Sequence, residues 1–364
     1  MSRYDFLIVG SGMFGSTFAQ QMAERGKKIL VIEKREHIGG NCYTENIEGI
    51  NVHKYGPHIF HTSNEDAWTY VNRFAKFNHF VNKPKVRYKD KIYSFPINLM
   101  TLYQLWGVKT PAEAQQKLKE VAVAIDNPKN LEEWILSQVG EEIYEIFIKG
   151  YTKKQWGKDP KDLPVSIVKK VPIRIDFNDS YYNEKYQGIP IGGYTKMFER
   201  ILEGIEVKLN TDYFEGRSYW DSVAKTVVYT GKIDEYFDYK FGELEYRGLT
   251  FETKIFDGDY QGNAVINYTE GNVPYTRIVE HKHFEFQNCE ETVVTWEYPD
   301  NCDRSKIPYY PINDERNNSL YSRYRQEAEK QKWLIIGGRL AGYAYIDMAQ
   351  TISAAMKACE KLNM

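Results

Sequence analysis

The sequence predicts an α/β protein in which both ends of the chain build one domain, with a helical insertion and an antiparallel-sheet insertion between them. A strand–helix–strand pattern opens the chain. Helical periodicity then dominates residues 97–150, and strand-like segments dominate residues 206–298. A strand and a helix return over residues 333–362, where we expect them to join the sheet formed by the first strands.

The opening pattern has three parts. Asp5 to Gly10 is a short apolar run typical of a buried strand. Helical spacing follows from Phe14 to Glu24, and Gly26 ends it. Lys28 to Glu33 is a second buried strand by the same criterion. Together they predict a βαβ beginning.

A glycine-rich turn, Gly10 to Gly15 with the sequence Gly-Ser-Gly-Met-Phe-Gly, lies between the first strand and the helix. Glycines allow the backbone to approach a pyrophosphate, and the helix N-terminus offers unpaired N–H groups. Glu33 ends the next strand, where a carboxylate accepts hydrogen bonds from an adenosine ribose. A plain structural turn explains the glycines alone, but all three features together predict a Rossmann-like dinucleotide site.

The middle of the chain divides into the two insertions. Thr110 to Glu113 has the pattern of a capping box with proline at the first helical position, and Asn130 opens a further helix. The predicted strands follow at residues 207–209, 226–229, 264–268, 277–280 and 292–296. We therefore expect three domains: residues 1–80 with 315–364, a helical domain over 97–160, and a sheet-rich domain over 161–314.

Composition excludes several classes of protein. The chain of 364 residues carries 48 Lys and Arg against 50 Asp and Glu, a net charge of −2. That balance argues against binding to nucleic acid or a membrane surface. Its 4 cysteines are far apart, which disfavours a disulfide scaffold or zinc site and fits a cytoplasmic protein. No apolar run approaches the roughly 20 residues that span a bilayer.

A second set of glycines indicates which dinucleotide binds. Gly39 and Gly40 follow Glu33 closely, and Gly337-Gly338-Arg339 follows a buried strand near the C-terminus. Asp347 begins the last helix with Gln350 in the capping-box position. A helix start beside an arginine suits the pyrophosphate and ribityl part of a flavin, although Asp347 also serves simply as a helix cap. Without a second full glycine motif, a separate NADPH domain is not expected.

Six long segments make the chain resemble the bacterial UDP-galactopyranose mutases over nearly its whole length. They are Tyr55 to Thr62, Gly150 to Gly157, Lys185 to Pro190, Tyr229 to Asp238, Pro308 to Pro311, and Gly337 to Ala341. The resemblance implies that FAD, active when reduced, attacks the anomeric carbon through N5 and displaces UDP. The sugar then opens as a flavin iminium and recloses, so pyranose and furanose forms interconvert without net redox.

The resemblance also assigns the site residues. Catalytic roles fall on His58, His61, Lys170, Arg174 and Arg277. The cofactor is expected at Gly10, Gly12, Met13, Phe14, Gly15, Glu33, Lys34, Gly40, Asn41, His58, Arg339, Asp347 and Met348. The nucleotide sugar is expected at Phe147, Tyr151, Thr152, Trp156, Tyr181, Asn267, Arg277, Glu297, Tyr310, Arg339 and Tyr345, and no metal is expected. By pattern alone, Tyr151, Trp156 and Phe147 are equally typical of a core.

Two positions depart from the family: Gly342, where relatives often carry Glu and to which we attach no mechanism, and Lys170. Relatives usually carry an arginine in a mobile loop that closes over the diphosphate, and Lys170 occupies that position here. Lysine keeps the charge but loses the two-pronged fork of a guanidinium. Arg174 lies four positions later and is the alternative. His281 and His283 alternate in sequence and are predicted to be exposed on a strand.

The predicted partners are a UDP-galactose-type nucleotide sugar, an external reductant for the flavin and a second copy of the chain in a homodimer, with no nucleic acid and no membrane. Three alternatives stay open: a flavin oxidoreductase of the amine-oxidase type, a mutase acting on UDP-N-acetylgalactosamine, and a silent nucleotide-sugar binder. Only the first predicts that the sugar substrate reduces the flavin.

Overall fold

The computed structural model describes residues 3–165 and 172–363. The chain forms two compact units. Unit 1 comprises Met1–His79, Glu184–Tyr246 and Tyr310–Met364. Unit 2 comprises Phe80–Asn183 and Arg247–Tyr309. Lys170 lies outside the described residues.

The elements are labelled in chain order. The strands are β1 (Tyr4–Val9), β2 (Ile29–Ile32), β3 (Thr44–Ile47), β4 (Ile50–His53), β5 (Phe60–Thr62), β6 (Lys85–Tyr88), β7 (Lys91–Ser94), β8 (Tyr186–Gly188), β9 (Glu206–Lys208), β10 (Ala224–Tyr229), β11 (Tyr246–Asp257), β12 (Val265–Tyr268), β13 (Arg277–Glu280), β14 (Glu291–Asn301), β15 (Tyr310–Pro311) and β16 (Leu334–Ile336). The helices are α1 (Met13–Ala23), α2 (Glu65–Asn72), α3 (Leu99–Trp106), α4 (Pro111–Val121), α5 (Leu131–Ile143), α6 (Gly150–Trp156), α7 (Tyr194–Ile201), α8 (Arg217–Val223), α9 (Ile233–Tyr236), α10 (Glu315–Glu329), α11 (Gly338–Ala341) and α12 (Met348–Glu360).

Unit 1 is built on a parallel sheet in the order β16-β10-β1-β2-β9. The strand residues are apolar because helices cover the sheet, and all four side chains of β2 are buried. Phe18 and Met22 of α1 pack in one core cluster with Ala355 and Cys359 of α12. The first and last segments of the chain therefore share one domain, which confirms the predicted α/β fold class.

The compact units divide the chain at places other than the predicted boundaries. The sequence pattern grouped residues 161–314 into one sheet-rich domain, whereas residues 184–246 belong to unit 1. The reason is strand pairing: β10 lies beside β1 in parallel register, with Phe6 opposite Thr226, and β9 lies beside β2. A local pattern identifies a strand but does not identify its partner.

Unit 2 contains a mixed sheet whose strands run in the order β11-β14-β13-β12-β6-β7. Its pairs are antiparallel except for β12 with β6, which is parallel. Helices α3 to α6 belong to the same unit, and their apolar faces form one core cluster that includes Leu102, Ala114, Ile135 and Phe147.

The helical part of unit 2 contains an irregular segment. The backbone leaves helical geometry at Gly140, with φ 77°, and residues Tyr144–Lys149 form a π-helix before α6. A Cβ at Gly140 would lie 2.4 Å from the carbonyl oxygen of Val121, so close contact with α4 requires glycine there. Such π-helical turns frequently mark functional sites.

Within the described part of the chain, we find no helix with the length and apolar character needed to cross a bilayer.

Candidate functional site

The glycine turn of unit 1 joins β1 directly to α1. Gly10 has φ +102°, and a Cβ there would lie 2.2 Å from Oγ1 of Thr230. A Cβ at Gly15 would lie 2.0 Å from the carbonyl oxygen of Gly10, so α1 crosses β1 at the closest approach a backbone allows. Gly12 is the N-cap of α1, and no described side chain caps it. The N–H groups of the first turn are thus placed for an anionic ligand.

Glu33 lies beside this turn and supports it. Its Oε2 accepts hydrogen bonds from the backbone N (2.9 Å) and Oγ (2.8 Å) of Ser11, and its Oε1 accepts one from the N of Arg35 (3.1 Å). Glu33 therefore has a structural role that the sequence did not reveal. Its expected contact with an adenosine ribose stays a prediction.

The other predicted cofactor residues of unit 1 converge on the same turn. Gly40 faces Gly12, since a Cβ at Gly40 would lie 3.0 Å from the Cα of Gly12. Asn41 accepts a hydrogen bond from Arg35 through Oδ1 at 2.9 Å. The ring of Phe14 lies directly against Gly337, where a Cβ would be 2.0 Å from it. The structure thus brings the N-terminal and C-terminal glycine motifs together.

The C-terminal motif also carries three predicted substrate residues. Nη2 of Arg339 donates to the carbonyl oxygen of Ile346 at 2.8 Å, and its guanidinium lies 5.2 Å from the centre of the Tyr345 ring. The rings of Tyr310 and Tyr345 are 5.4 Å apart. Asp347 forms the predicted capping box with Gln350 at the start of α12, so its role as a helix cap is observed.

The remaining unit 1 residues are less closely associated with the turn. His58 bonds to the carbonyl oxygen of Gly56 through Nδ1 at 2.8 Å and donates its backbone N–H to Nδ1 of His53. His61 lies with Nδ1 3.3 Å from Glu184. Lys34 is exposed, and Met348 packs against the core cluster around Phe60 and Phe198.

In unit 2, three predicted substrate residues form a row across adjacent strands. Asn267 of β12 is opposite Arg277 of β13, and Arg277 is opposite Glu297 of β14. Nε and Nη2 of Arg277 both donate to Oε1 of Glu297, at 3.0 and 2.9 Å. The Glu297 side chain is 1% exposed and that of Arg277 is 20% exposed. Burial raises the pKa of the Glu297 carboxyl, while Arg277 opposes the rise. Glu297 thus orients a guanidinium that reaches the surface of the sheet.

Helix α6 and the π-helix before it carry the other predicted residues of the nucleotide pocket. Phe147 is buried, with its ring centre 5.3 Å from that of Tyr93 and 6.3 Å from that of Phe95. Thr152 is buried, whereas Tyr151 and Trp156 are partly exposed. Tyr181 packs against the same cluster, 6.1 Å from Phe95. Phe147 has the core role that its sequence pattern also allowed, and contact of Tyr151 and Trp156 with a ligand stays a prediction.

Arg174 is engaged with its own segment. Nη1 donates to the carbonyl oxygens of Asn178 (3.2 Å) and Ser180 (2.7 Å), and Nη2 donates to Oδ1 of Asn183. These bonds organise the turn that precedes Glu184. The closing role assigned to Lys170, with Arg174 as the alternative, stays a prediction.

His281 and His283 are placed differently from the prediction. Both belong to a 3₁₀-helix, His281–Glu285, rather than to a strand. The prediction that both are exposed was wrong for His281, which is buried with Nε2 2.9 Å from Oγ1 of Thr295. Burial lowers the pKa of His281 to about 3, so the ring is neutral. Alternation in the sequence did not reveal that the chain turns after Glu280.

Comparison with known proteins agrees with this geometry. Residues 146–345 match the sequence model of UDP-galactopyranose mutase, and residues 8–74 match that of the NAD(P)-binding Rossmann-like domain. The chain is 41% identical to a probable UDP-galactopyranose mutase of Klebsiella pneumoniae, covering 99% of this chain and 95% of that protein. It is 40% identical to dTDP-fucopyranose mutase of Escherichia coli, covering 97% of each.

The fold is shared with a solved structure as well. A crystal structure of reduced UDP-galactopyranose mutase superposes with a TM-score of 0.78 at 14% identity, covering 99% of this chain and 95% of that one. The match extends over both compact units, and the relatives' sequences align over almost their whole length. The chain belongs to the UDP-galactopyranose mutase family.

Proposed function

We propose that this protein interconverts UDP-galactopyranose and UDP-galactofuranose and uses reduced FAD to do so. The observation that carries the proposal is the Asn267–Arg277–Glu297 row, which presents an oriented guanidinium on a sheet within the region matched by the family. A guanidinium held by a buried carboxylate is suited to a diphosphate, because its planar fork matches two phosphate oxygens.

The residues of unit 1 fit FAD. A dinucleotide needs a backbone cradle without side chains, and Gly12 and Gly40 face each other with no Cβ between them. The start of α1, which no described side chain caps, offers N–H donors that suit the pyrophosphate, and Glu33, which bonds Ser11 of the turn, is the residue that we expect at the ribose. Gly337 lies against Phe14 of α1, and α11, which carries Arg339, contacts both α1 and α12. When bound and reduced, FAD supplies an electron-rich N5 as the nucleophile for the anomeric carbon.

The roles proposed for the chain's own residues are binding and orientation. Arg277 neutralises the diphosphate, Asn267 and the α6 residues Tyr151 and Thr152 hold uridine, and Trp156 borders the sugar. Tyr181, Tyr310 and Tyr345 offer hydroxyl donors to the phosphates. His58 and His61 come after strands β3 and β4 of unit 1, and we expect the flavin near these two histidines. These assignments rest on the family resemblance, and the burial of Phe147 limits that residue to shaping the pocket.

The direct test is chromatography of UDP-galactofuranose incubated with dithionite-reduced protein. We expect conversion to UDP-galactopyranose with no net consumption of reductant, because each turnover returns the electron pair to the flavin. The oxidised protein under strict anaerobiosis is the control and should be inactive. Product formed in proportion to reductant consumed, or full activity of the oxidised protein, would refute the proposal.

The Escherichia coli relative at 40% identity supports a second candidate substrate, a dTDP-linked 6-deoxy sugar. The same assay should therefore offer UDP-galactose, UDP-N-acetylgalactosamine and dTDP-fucose in competition. We expect the ratio of kcat/KM values to favour UDP-galactose. An oxidoreductase of the amine-oxidase type would instead consume oxygen with the sugar present and yield no isomer.

The closing role of Lys170 is tested by comparing it with Arg174. Lys170→Ala is expected to slow turnover and weaken UDP binding, because it removes a charge next to a dianion. Lys170→Arg should retain or raise activity, since it restores the fork. Arg174→Ala should have a smaller effect on UDP affinity, because its guanidinium already bonds Asn178, Ser180 and Asn183. Steady-state kinetics measures turnover, and UDP titration measures affinity. If both alanine variants turn over as fast as the parent, neither residue has the closing role.

A further inference from the structure

Lys154 lies on α6 among the proposed uridine residues, yet its side chain points into the unit rather than to a ligand. Its Nζ donates to three backbone carbonyl oxygens, those of Tyr268 (2.8 Å), Val273 (3.0 Å) and Tyr275 (2.9 Å). An ammonium has three donors, so these bonds saturate it. Burial lowers the pKa of Lys154 to about 8.

The three carbonyls belong to the connection between β12 and β13. Tyr268 ends β12, and Val273 and Tyr275 lie in the loop before Arg277, the first residue of β13. Thr276 closes the loop: its N–H donates to the carbonyl oxygen of Glu297 at 2.9 Å, and its carbonyl accepts from the N of Tyr268 at 2.8 Å. Lys154 therefore holds together the loop between β12 and β13, immediately before Arg277.

Both ends of α6 are fixed to the same sheet. At its start, a Cβ on Gly150 would lie 2.1 Å from the carbonyl oxygen of Thr269, so the helix begins in backbone contact with the loop. At its end, Arg247 of β11 donates from Nε to the carbonyl oxygen of Gln155 (3.0 Å) and from Nη2 to that of Lys154 (3.2 Å). These carbonyls belong to the last turn of the helix, where a cation is favourable.

Helix α6 continues directly from the π-helix Tyr144–Lys149, and these contacts fix its last turn to the sheet. We propose that Lys154 is a positioning residue that fixes Tyr151 and Thr152 of α6 relative to Asn267 and Arg277 of the β12–β13 hairpin. The proposal rests on the proposed function, since those four residues are the ones assigned to the uridine diphosphate. In this proposal Lys154 acts through those residues, because its Nζ is engaged by three carbonyl oxygens.

The test compares Lys154→Met with Lys153→Met. Lys153 is the adjacent residue, its side chain is 62% exposed, and it pairs with Asp159 at the surface. Lys154→Met leaves three carbonyls without their donor and releases the loop. We expect UDP to bind about tenfold to a hundredfold more weakly, as a displaced binding group does. Lys153→Met should stay within about twofold of the parent.

Further measurements separate positioning from general destabilisation. UDP titration well below the unfolding temperature reports on the folded protein. Weaker UDP binding under these conditions, together with a rise in KM larger than the fall in kcat, would show that the folded variant binds UDP poorly. FAD content should not change, because Lys154 lies in unit 2. Hydrogen exchange should rise in residues 151–157 and 269–276 of Lys154→Met and not in Lys153→Met. Lys154→Gln retains an amide donor and should be intermediate, which keeps the test valid if the Met variant does not fold.

The outcomes distinguish this inference from the proposed function. If the parent binds UDP and Lys154→Met and Lys154→Gln bind it equally well, Lys154 is not a positioning residue. If the parent does not bind UDP, the proposed function fails. Hydrogen exchange then still decides whether Lys154 holds α6 to the hairpin, and unchanged exchange in both variants would overturn the inference.

Discussion

Gly12→Ala is expected to fold normally, to bind FAD about tenfold to a hundredfold more weakly than the parent, and to lose mutase activity in proportion to the FAD that it lacks. Gly12 has φ −70° and ψ −175°, a conformation that alanine adopts without strain. In the protein alone, a Cβ there would meet only the Cα of Gly40, at 4.0 Å. The protein therefore has room for this methyl group, and its expected effect is on the proposed FAD, because it would hold the pyrophosphate away from the N–H groups of α1. Losing one such charge-assisted contact weakens binding by about tenfold to a hundredfold.

Flavin absorbance of the purified variant and titration of the apoprotein with FAD measure this effect. The free energy of unfolding of the apoprotein should fall by no more than about 0.5–1 kcal/mol, the usual difference between glycine and alanine at an N-cap.

Gly271→Ala is the matched control, since a Cβ there has nothing within 4 Å. Gly15→Ala should differ from both by misfolding, because its methyl would overlap the backbone of Gly10. A Gly12→Ala protein that retains full FAD would place the pyrophosphate elsewhere.

The sequence predicts elements best where local patterns and caps coincide. β1, α1 and β2 lie within one or two residues of their predicted bounds, and Asn130 caps α5 as expected. β11 was missed because its side chains are buried on both faces in its first four residues and mostly exposed thereafter, so no alternation appears. The parallel pairing of β10 with β1 joins residues 220 positions apart in sequence, and no local signal encodes it.

The functional site likewise has a part that local sequence patterns predict and a part that they do not. The geometry at Gly10, Gly12 and Gly15 depends on the absence of a side chain. The spacing of the glycines in the sequence therefore predicts this turn. Lys154 and Arg247 were not found, because a lysine that binds carbonyls looks like its exposed neighbour Lys153 in sequence. The two differ only in the loop that folding brings to Lys154. For the same reason, the sequence did not show that Arg174 would be occupied by its own turn.

Arg277→Ala is expected to weaken UDP binding by about tenfold to over a hundredfold, the value of a charge-assisted contact of about 1.5–3 kcal/mol, while FAD content is unchanged. The same change leaves Glu297 buried without its cation. For a fully buried pair that costs about 3–5 kcal/mol, and less here because 20% of the Arg277 side chain is exposed. Burial already raises the pKa of Glu297 above 4.5, and removing Arg277 raises it further. The contribution of Glu297 to the variant's stability should therefore be most favourable below pH 4.5 and be lost as the pH rises through the folded-state pKa of this carboxyl.

The double variant Arg277→Ala/Glu297→Gln separates the two effects. Glutamine occupies nearly the same volume without a charge, so the double variant should recover stability lost in Arg277→Ala and lose most of its pH dependence. UDP affinity should stay low, because the guanidinium that we propose for the diphosphate is still absent. Isothermal titration with UDP and thermal unfolding at several pH values measure the two quantities independently. If UDP binds Arg277→Ala as tightly as the parent, the row Asn267–Arg277–Glu297 does not face the diphosphate; if affinity returns with Glu297→Gln, the buried carboxylate and not the lost fork was responsible.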